Sequence, residues 1–288
     1  MAEIFLRGHI TDNMIYNCSA LSFEQVEISH SVRRPIWGLI AIAYGTCSVI
    51  LYSLCVLEMK EPKNYQFACY KMMFYNGFVD ILATFLNNVV VGYCIYAGIS
   101  FCDAPNLLYL TGTIDTGTWG TYSVLCLVLA LNRILEIAEV SPQKIEKFFS
   151  NAKIYLWIVF AMLYGVYFFI FVKPPVYVNT FGILSFDPFI YENKADLYDD
   201  KLMVFNNLFI VVSTFSFYAV FLVVLCRRYK RSSVGEKKHH QVFFQTITVC
   251  GLNLYIAFSC LVYHHLQAIP KELAQSWVIA YQLSTGIN

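Results

Sequence analysis

Charge is scarce in this 288-residue chain: Asp, Glu, Lys and Arg make up 14% of it, against 58% hydrophobic and 17% aromatic residues. One water-soluble core of this length cannot hide so much apolar surface, which argues against a soluble fold. The net charge is +1 and no strongly basic domain exists, so a nucleic-acid partner is not expected. Proline is missing from the long apolar runs, since Pro35, Pro62, Pro105, Pro142, Pro174, Pro175, Pro188 and Pro270 all fall between them, and no helix is expected to need a proline kink. The ten cysteines are scattered singly, with no CxxC pair and no histidine at metal-ligand spacing, so neither a metal nor another cofactor is expected. Nor is there an HExxH, a GxSxG or a paired-carboxylate motif, and the histidine pairs 239–240 and 264–265 are expected on opposite sides of a bilayer. Catalysis is therefore not expected. Without internal repeats or Gly/Ser-rich linkers, residues 1–288 read as one domain. The N-terminus lacks the apolar core of a cleavable signal peptide, leaving the first long helix as the uncleaved membrane signal.

What is present is a series of apolar runs, each long enough to cross a hydrocarbon layer of about 30 Å as a helix. They predict an all-α, integral-membrane seven-helix bundle with spans at 36–56, 67–91, 107–131, 154–172, 202–226 and 242–265. A seventh occupies only 276–288, about 20 Å of helix, and is expected to be truncated. Lys and Arg set the orientation. Twelve of them, Lys60, Lys63, Arg133, Lys144, Lys147, Lys153, Arg227, Arg228, Lys230, Arg231, Lys237 and Lys238, share one side, which should be cytoplasmic. Arg33 and Arg34, just before the first span, oppose this assignment. The sequon Asn17-Cys18-Ser19 lies in the tail placed outside, making Asn17 the one candidate glycosylation site.

Polar residues inside the spans are the candidate functional groups, because an ionisable side chain in lipid must turn toward the bundle interior or a wet cavity. Asp115 lies 18 residues before Arg133, five turns and about 27 Å along one helix face, which puts it in the outer half. There it either pairs with a cationic ligand or bonds to Thr113, Thr116 or another helix. Trp119, one turn further in, can wall the same site or simply pack. Asp80 heads an inward stripe with Thr84 and Asn87. Asn206 and Asn207 in the fifth span and Asn253 in the sixth can donate to a ligand or join helices. Asn132-Arg133 closes the third span, where an arginine either snorkels to the interface or meets a docking partner. The basic run 227–238 is placed to lie against anionic membrane lipid, with Cys226 positioned for palmitoylation. The acidic outer-loop residues Asp187, Glu192, Asp196, Asp199 and Asp200 either draw cations or are merely solvated.

Taken in order, Cys69-Tyr70-Lys71-Met72, Cys102-Asp103-Ala104-Pro105, Thr116-Gly117-Thr118-Trp119, Leu129-Ala130-Leu131-Asn132-Arg133, Phe186-Asp187-Pro188-Phe189 and Asn206-Asn207 make the chain resemble the nematode serpentine receptor class T family. That family shares the architecture of rhodopsin-like G-protein-coupled receptors. The resemblance implies a chemosensory receptor in the plasma membrane, with sensory cilia as a candidate location and the N-terminus outside. It would bind a small-molecule ligand or odorant and couple to a heterotrimeric G protein through Asn132 and Arg133. The same resemblance suggests for Asp80, with Asn87, an ion-binding or activation-relay role; helix-to-helix hydrogen bonding is the alternative. Cys102 stands where rhodopsin-like receptors anchor a disulfide, yet residues 173–201 contain no cysteine. Cys18 and Cys94 are the candidate partners, and a free thiol is equally open. The chain departs from the rhodopsin-like pattern in having no Asp-Arg-Tyr, Trp-x-Pro or Asn-Pro-x-x-Tyr motif. A transporter or channel using the intramembrane aspartates is the rival reading, opposed by the missing inverted repeat.

Overall fold

Apolar runs bounded by proline and glycine become long helices in the computed structural model, which describes residues 15–18, 33–138, 145, 148–179, 183–191, 197–198 and 200–229. Among the described residues, five helices are long and apolar enough to cross a membrane: α1 (Pro35–Met59), α2 (Ala68–Ala97), α3 (Pro105–Ile137), α4 (Asn151–Phe171) and α5 (Lys201–Tyr229). The expected spans 242–265 and 276–288, Asn253, the basic residues of the 230–238 segment and the side chains of Cys226, Arg227 and Arg228 lie outside what is described. Each observed helix is longer than its expected span. Pro35 and Pro105, expected between spans, instead open α1 and α3 at their first positions, where a missing N–H costs no hydrogen bond. The second helix continues past 91 to Ala97 and closes at Gly98, whose φ of 77° is the left-handed cap that glycine adopts without strain. Within it, Phe85–Val90 winds as a π-helix, and this wider turn buries both Asn87 and Asn88.

The bundle is inside-out relative to a soluble protein. Ile36, Trp37, Leu39, Leu51, Leu156, Leu163, Phe205 and Phe215 are each more than half exposed, while Asp80, Thr84, Asn87, Asn88, Asp115, Asn132, Asn206 and Asn207 are buried. Lipid accepts the first group without cost, and the second must find partners inside. The central helix is α3, 33 residues long, which packs on α2, α4 and α5. Its closest neighbour is α4, because Gly165 presents no side chain: a Cβ there would overlap the Thr121 hydroxyl and press on the Gly117 carbonyl.

One end of the bundle is roofed by a hairpin, β1 (Val176–Val178) paired antiparallel with β2 (Ile183–Ser185), in the segment expected to be an outer loop. Here Tyr16, Val91, Cys94, Ile95, Phe101, Leu108, Tyr109, Val176, Tyr177, Leu184, Ile190 and Tyr198 form a single apolar cluster. A second cluster, around Met72, Leu125, Val128, Phe149, Ile154 and Ile158, fills the far end.

Candidate functional site

Among the described residues, side-chain hydrogen bonds tie the helices together in the half of the bundle nearest the hairpin. Asn87 of the π-turn donates from Nδ2 to Asp115 Oδ1 at 2.5 Å and to the Ala83 carbonyl at 3.0 Å. Trp119 Nε1 donates to Asn207 Oδ1 at 2.9 Å, joining α3 to α5. Tyr164 donates its hydroxyl to Asn206 Oδ1 at 2.9 Å, joining α4 to α5, while Asn206 Nδ2 is buried with no partner among the described residues. Asp115 and Trp119 are one turn apart, yet they serve different neighbours, α2 and α5. The hydroxyls of Thr113 and Thr116 donate to the carbonyls of Tyr109 and Gly112 in their own helix. Trp119 also stacks on Tyr122, with ring centroids 5.9 Å apart.

Deeper in the bundle, Asp80 accepts a 2.9 Å hydrogen bond from Asn76 Nδ2, one turn earlier on α2. Tyr52 of α1 and Tyr122 of α3 lie within electrostatic reach of it, so the Asp80 carboxyl on α2 faces two neighbouring helices. Asn87, expected on the Asp80 stripe, reaches across to Asp115 from the π-turn.

At the far end of α3, Asn132 is fully buried and, among the described residues, neither its Oδ1 nor its Nδ2 has a hydrogen-bond partner. Arg133 is partly exposed, with Nη1 3.6 Å from Glu136 Oε2 and Nη2 directed at Met73 Sδ. Lys71 is buried with its ammonium 5.7 Å and 5.8 Å from the Tyr65 and Tyr155 ring centroids.

At the hairpin end, Cys18 and Cys102 form a disulfide across 84 residues, with Cα atoms 5.7 Å apart; Cys94, the other candidate partner, is a buried free thiol. Asn17, the sequon residue, is held between this bridge and the buried Tyr16. Arg34 donates from Nη1 to the Asn179 carbonyl at 2.9 Å, and Asn179 Nδ2 donates to the Gly98 carbonyl at 2.6 Å, so the hairpin is pinned to both α1 and α2. Burial pushes the Tyr177 phenol up to about 12, against the opposing pull of the Arg34 guanidinium. Two of the acidic loop residues are not free solvated charges. Asp200 caps α5, its Oδ1 accepting from the Leu202 and Met203 N–H groups and its Oδ2 from the Lys173 N–H. Asp187 Oδ1 accepts from the Phe189 N–H at 2.7 Å, and burial raises its carboxyl above the usual range. Glu192, Asp196 and Asp199 lie outside the described residues.

Sequence reasoning missed the partners Asn76, Tyr164 and Asn179. Only Asn76 had a visible signal, its i to i+4 spacing from Asp80. Among the described residues no group of three or more His, Cys, Asp and Glu side chains is placed to hold a metal.

Comparison with known proteins adds two findings. The family model described as "Serpentine type 7TM GPCR chemoreceptor Srt" matches residues 3–286. The Caenorhabditis elegans protein named serpentine receptor class T-55 is 23% identical over 278 residues, covering 94% of this chain and 74% of that relative.

Proposed function

Because this chain belongs to the serpentine class T family of seven-transmembrane G-protein-coupled chemoreceptors, we propose that it binds a small-molecule ligand among the hairpin-side halves of its helices and couples to a heterotrimeric G protein at the opposite end. The supporting observation is the concentration of polar contacts that link α2, α3, α4 and α5 inside an apolar exterior. Asp115, Asn87, Trp119, Asn206 and Asn207 make these contacts, and each is a group that a ligand can take over. A ligand that exchanges one of these bonds for its own changes the relative energies of two helix packings, which is all that receptor activation requires. Asp80, with Asn76 and the nearby tyrosines, is assigned the relay between the two ends, and Asn132 with Arg133 the contact with the G protein.

The hairpin end is assigned to the exterior of the plasma membrane. The distribution of Lys and Arg favours this, and Arg34, which counted against it, is committed to the Asn179 carbonyl. A disulfide at that end suits an oxidising exterior. The test is a cell-based cAMP or calcium assay across a panel of small odorants, with surface expression measured alongside. Arg133→Ala should cut the ligand-evoked response about tenfold or more, on the order of a lost charged contact, at unchanged surface level. A response of full size in that variant rules out the role given to Arg133.

A further inference from the structure

Of the tail residues 15–18, Ile15, Asn17 and Cys18 are partly exposed, whereas Tyr16 turns inward. Tyr16 is fully buried at the hairpin end, its ring centroid 5.2 Å from that of Tyr109, 5.7 Å from Tyr198 and 5.8 Å from Phe101. All three rings meet it tilted or edge-on, the arrangement in which the positive edge of one aromatic group faces the negative face of another. The segment is held from both sides. Tyr198 donates its hydroxyl to the Ile15 carbonyl, and Cys18 is bridged to Cys102.

One element of this arrangement is unfavourable. The Tyr16 hydroxyl is buried and, among the described residues, has no hydrogen-bond partner. A socket walled by three rings thus suits an aromatic body but not the polar tip that tyrosine brings to it. We propose that this socket, bounded by Phe101, Tyr109 and Tyr198, is a binding site for an uncharged single-ring aromatic molecule, and that Tyr16 is its built-in occupant, displaced when such a molecule binds. The disulfide two residues away keeps a displaced Tyr16 close by, at an effective concentration of order millimolar. The external ligand therefore competes against a tethered rival, and its apparent affinity is lower than the socket's own. The proposal concerns the outer socket alone and holds whether or not the chain couples to a G protein.

Toluene and 4-methylphenol, which copy the phenylalanine and tyrosine side chains, are the probes, and cyclohexane matches their partitioning into lipid without a ring. Amide hydrogen exchange of the peptide containing residues 15–18 is followed by mass spectrometry on the full chain in lipid nanodiscs, with the disulfide intact. Toluene should accelerate exchange in this peptide several-fold and 4-methylphenol less, because its hydroxyl would again be buried without a partner; cyclohexane should do neither. Tyr16→Phe removes the unpartnered hydroxyl while keeping the ring, so it should need on the order of tenfold more toluene for the same acceleration. Equal effects of toluene and cyclohexane, or no effect of either, overturn the proposal. So does a Tyr16→Phe protein that responds at the same or lower toluene concentration.

Discussion

Replacing Asn132 with leucine is expected to make the receptor more stable and less able to signal. Asn132 is fully buried, and among the described residues its amide oxygen and nitrogen both lack partners. An unpartnered buried polar group costs about 1–3 kcal/mol, and leucine has nearly the same shape with no polar atom to satisfy. Counting only one of the two groups, and taking about 2–4 °C per kcal/mol for a chain of this size class, the melting temperature should rise by about 2–12 °C. The assay is thermal unfolding of the purified protein with a thiol-reactive dye, which reports exposure of the buried Cys69 and Cys94. If the amide finds its partner only in the signalling arrangement, its loss also shifts the balance of the two arrangements by about tenfold toward the silent one. Basal and ligand-evoked output should then fall together at constant surface expression. An unchanged or lower melting temperature refutes the strain ascribed to Asn132, and a higher one with undiminished output refutes its place in coupling.

Asp115→Asn keeps an oxygen for the Asn87 donor and removes only the charge, so responses to cationic ligands should weaken while those to neutral ligands persist; equal loss for both argues against a counter-ion. For the α3–α5 tie, Trp119→Phe and Asn207→Ala in a double-mutant cycle should show a coupling of about 0.5–1.5 kcal/mol in unfolding free energy, and additive losses would mean the 2.9 Å contact contributes nothing. Asp187 has a folded-state pKa raised by burial, so its stabilising contribution is complete below the unfolded value near 3.9 and is lost as pH rises through the folded one. The advantage in melting temperature of Asp187→Asn over the native protein should accordingly grow between about pH 4 and pH 7, and a constant difference would contradict it.

The apolar runs made the spans legible because lipid imposes a single requirement on each, a length of greasy helix. Polar residues inside them, Asp80, Asp115, Asn206 and Asn207, were legible as inward for the same reason. The identity of their partners was not. Asn87 stands seven residues after Asp80, which on a regular α-helix puts it on the same face. The π-turn at Phe85–Val90 changes that geometry and brings it to Asp115. No residue in Phe-Leu-Asn-Asn-Val-Val signals a π-turn, since the wider winding is fixed by packing between helices. The outer end was hidden for another reason. Its order comes from pairings between residues far apart in the chain, such as Cys18 with Cys102, Arg34 with Asn179 and Tyr198 with Ile15, and local pattern is silent about those. Asp200 shows the limit from the other side: its position just before α5 was visible, and its role as a helix cap could have been inferred from that alone.

At 33 residues α3 is about 50 Å long, well beyond the roughly 30 Å of hydrocarbon it crosses. A stiff rod longer than the sheet it pierces must lean or stand proud of both faces. In either case its two tips sit in different aqueous compartments, one beneath the stapled roof and the other beside Arg133. Midway along, the rod meets α4 at Gly117 and Gly165, where the two backbones approach so closely that no side chain at Gly165 fits between them.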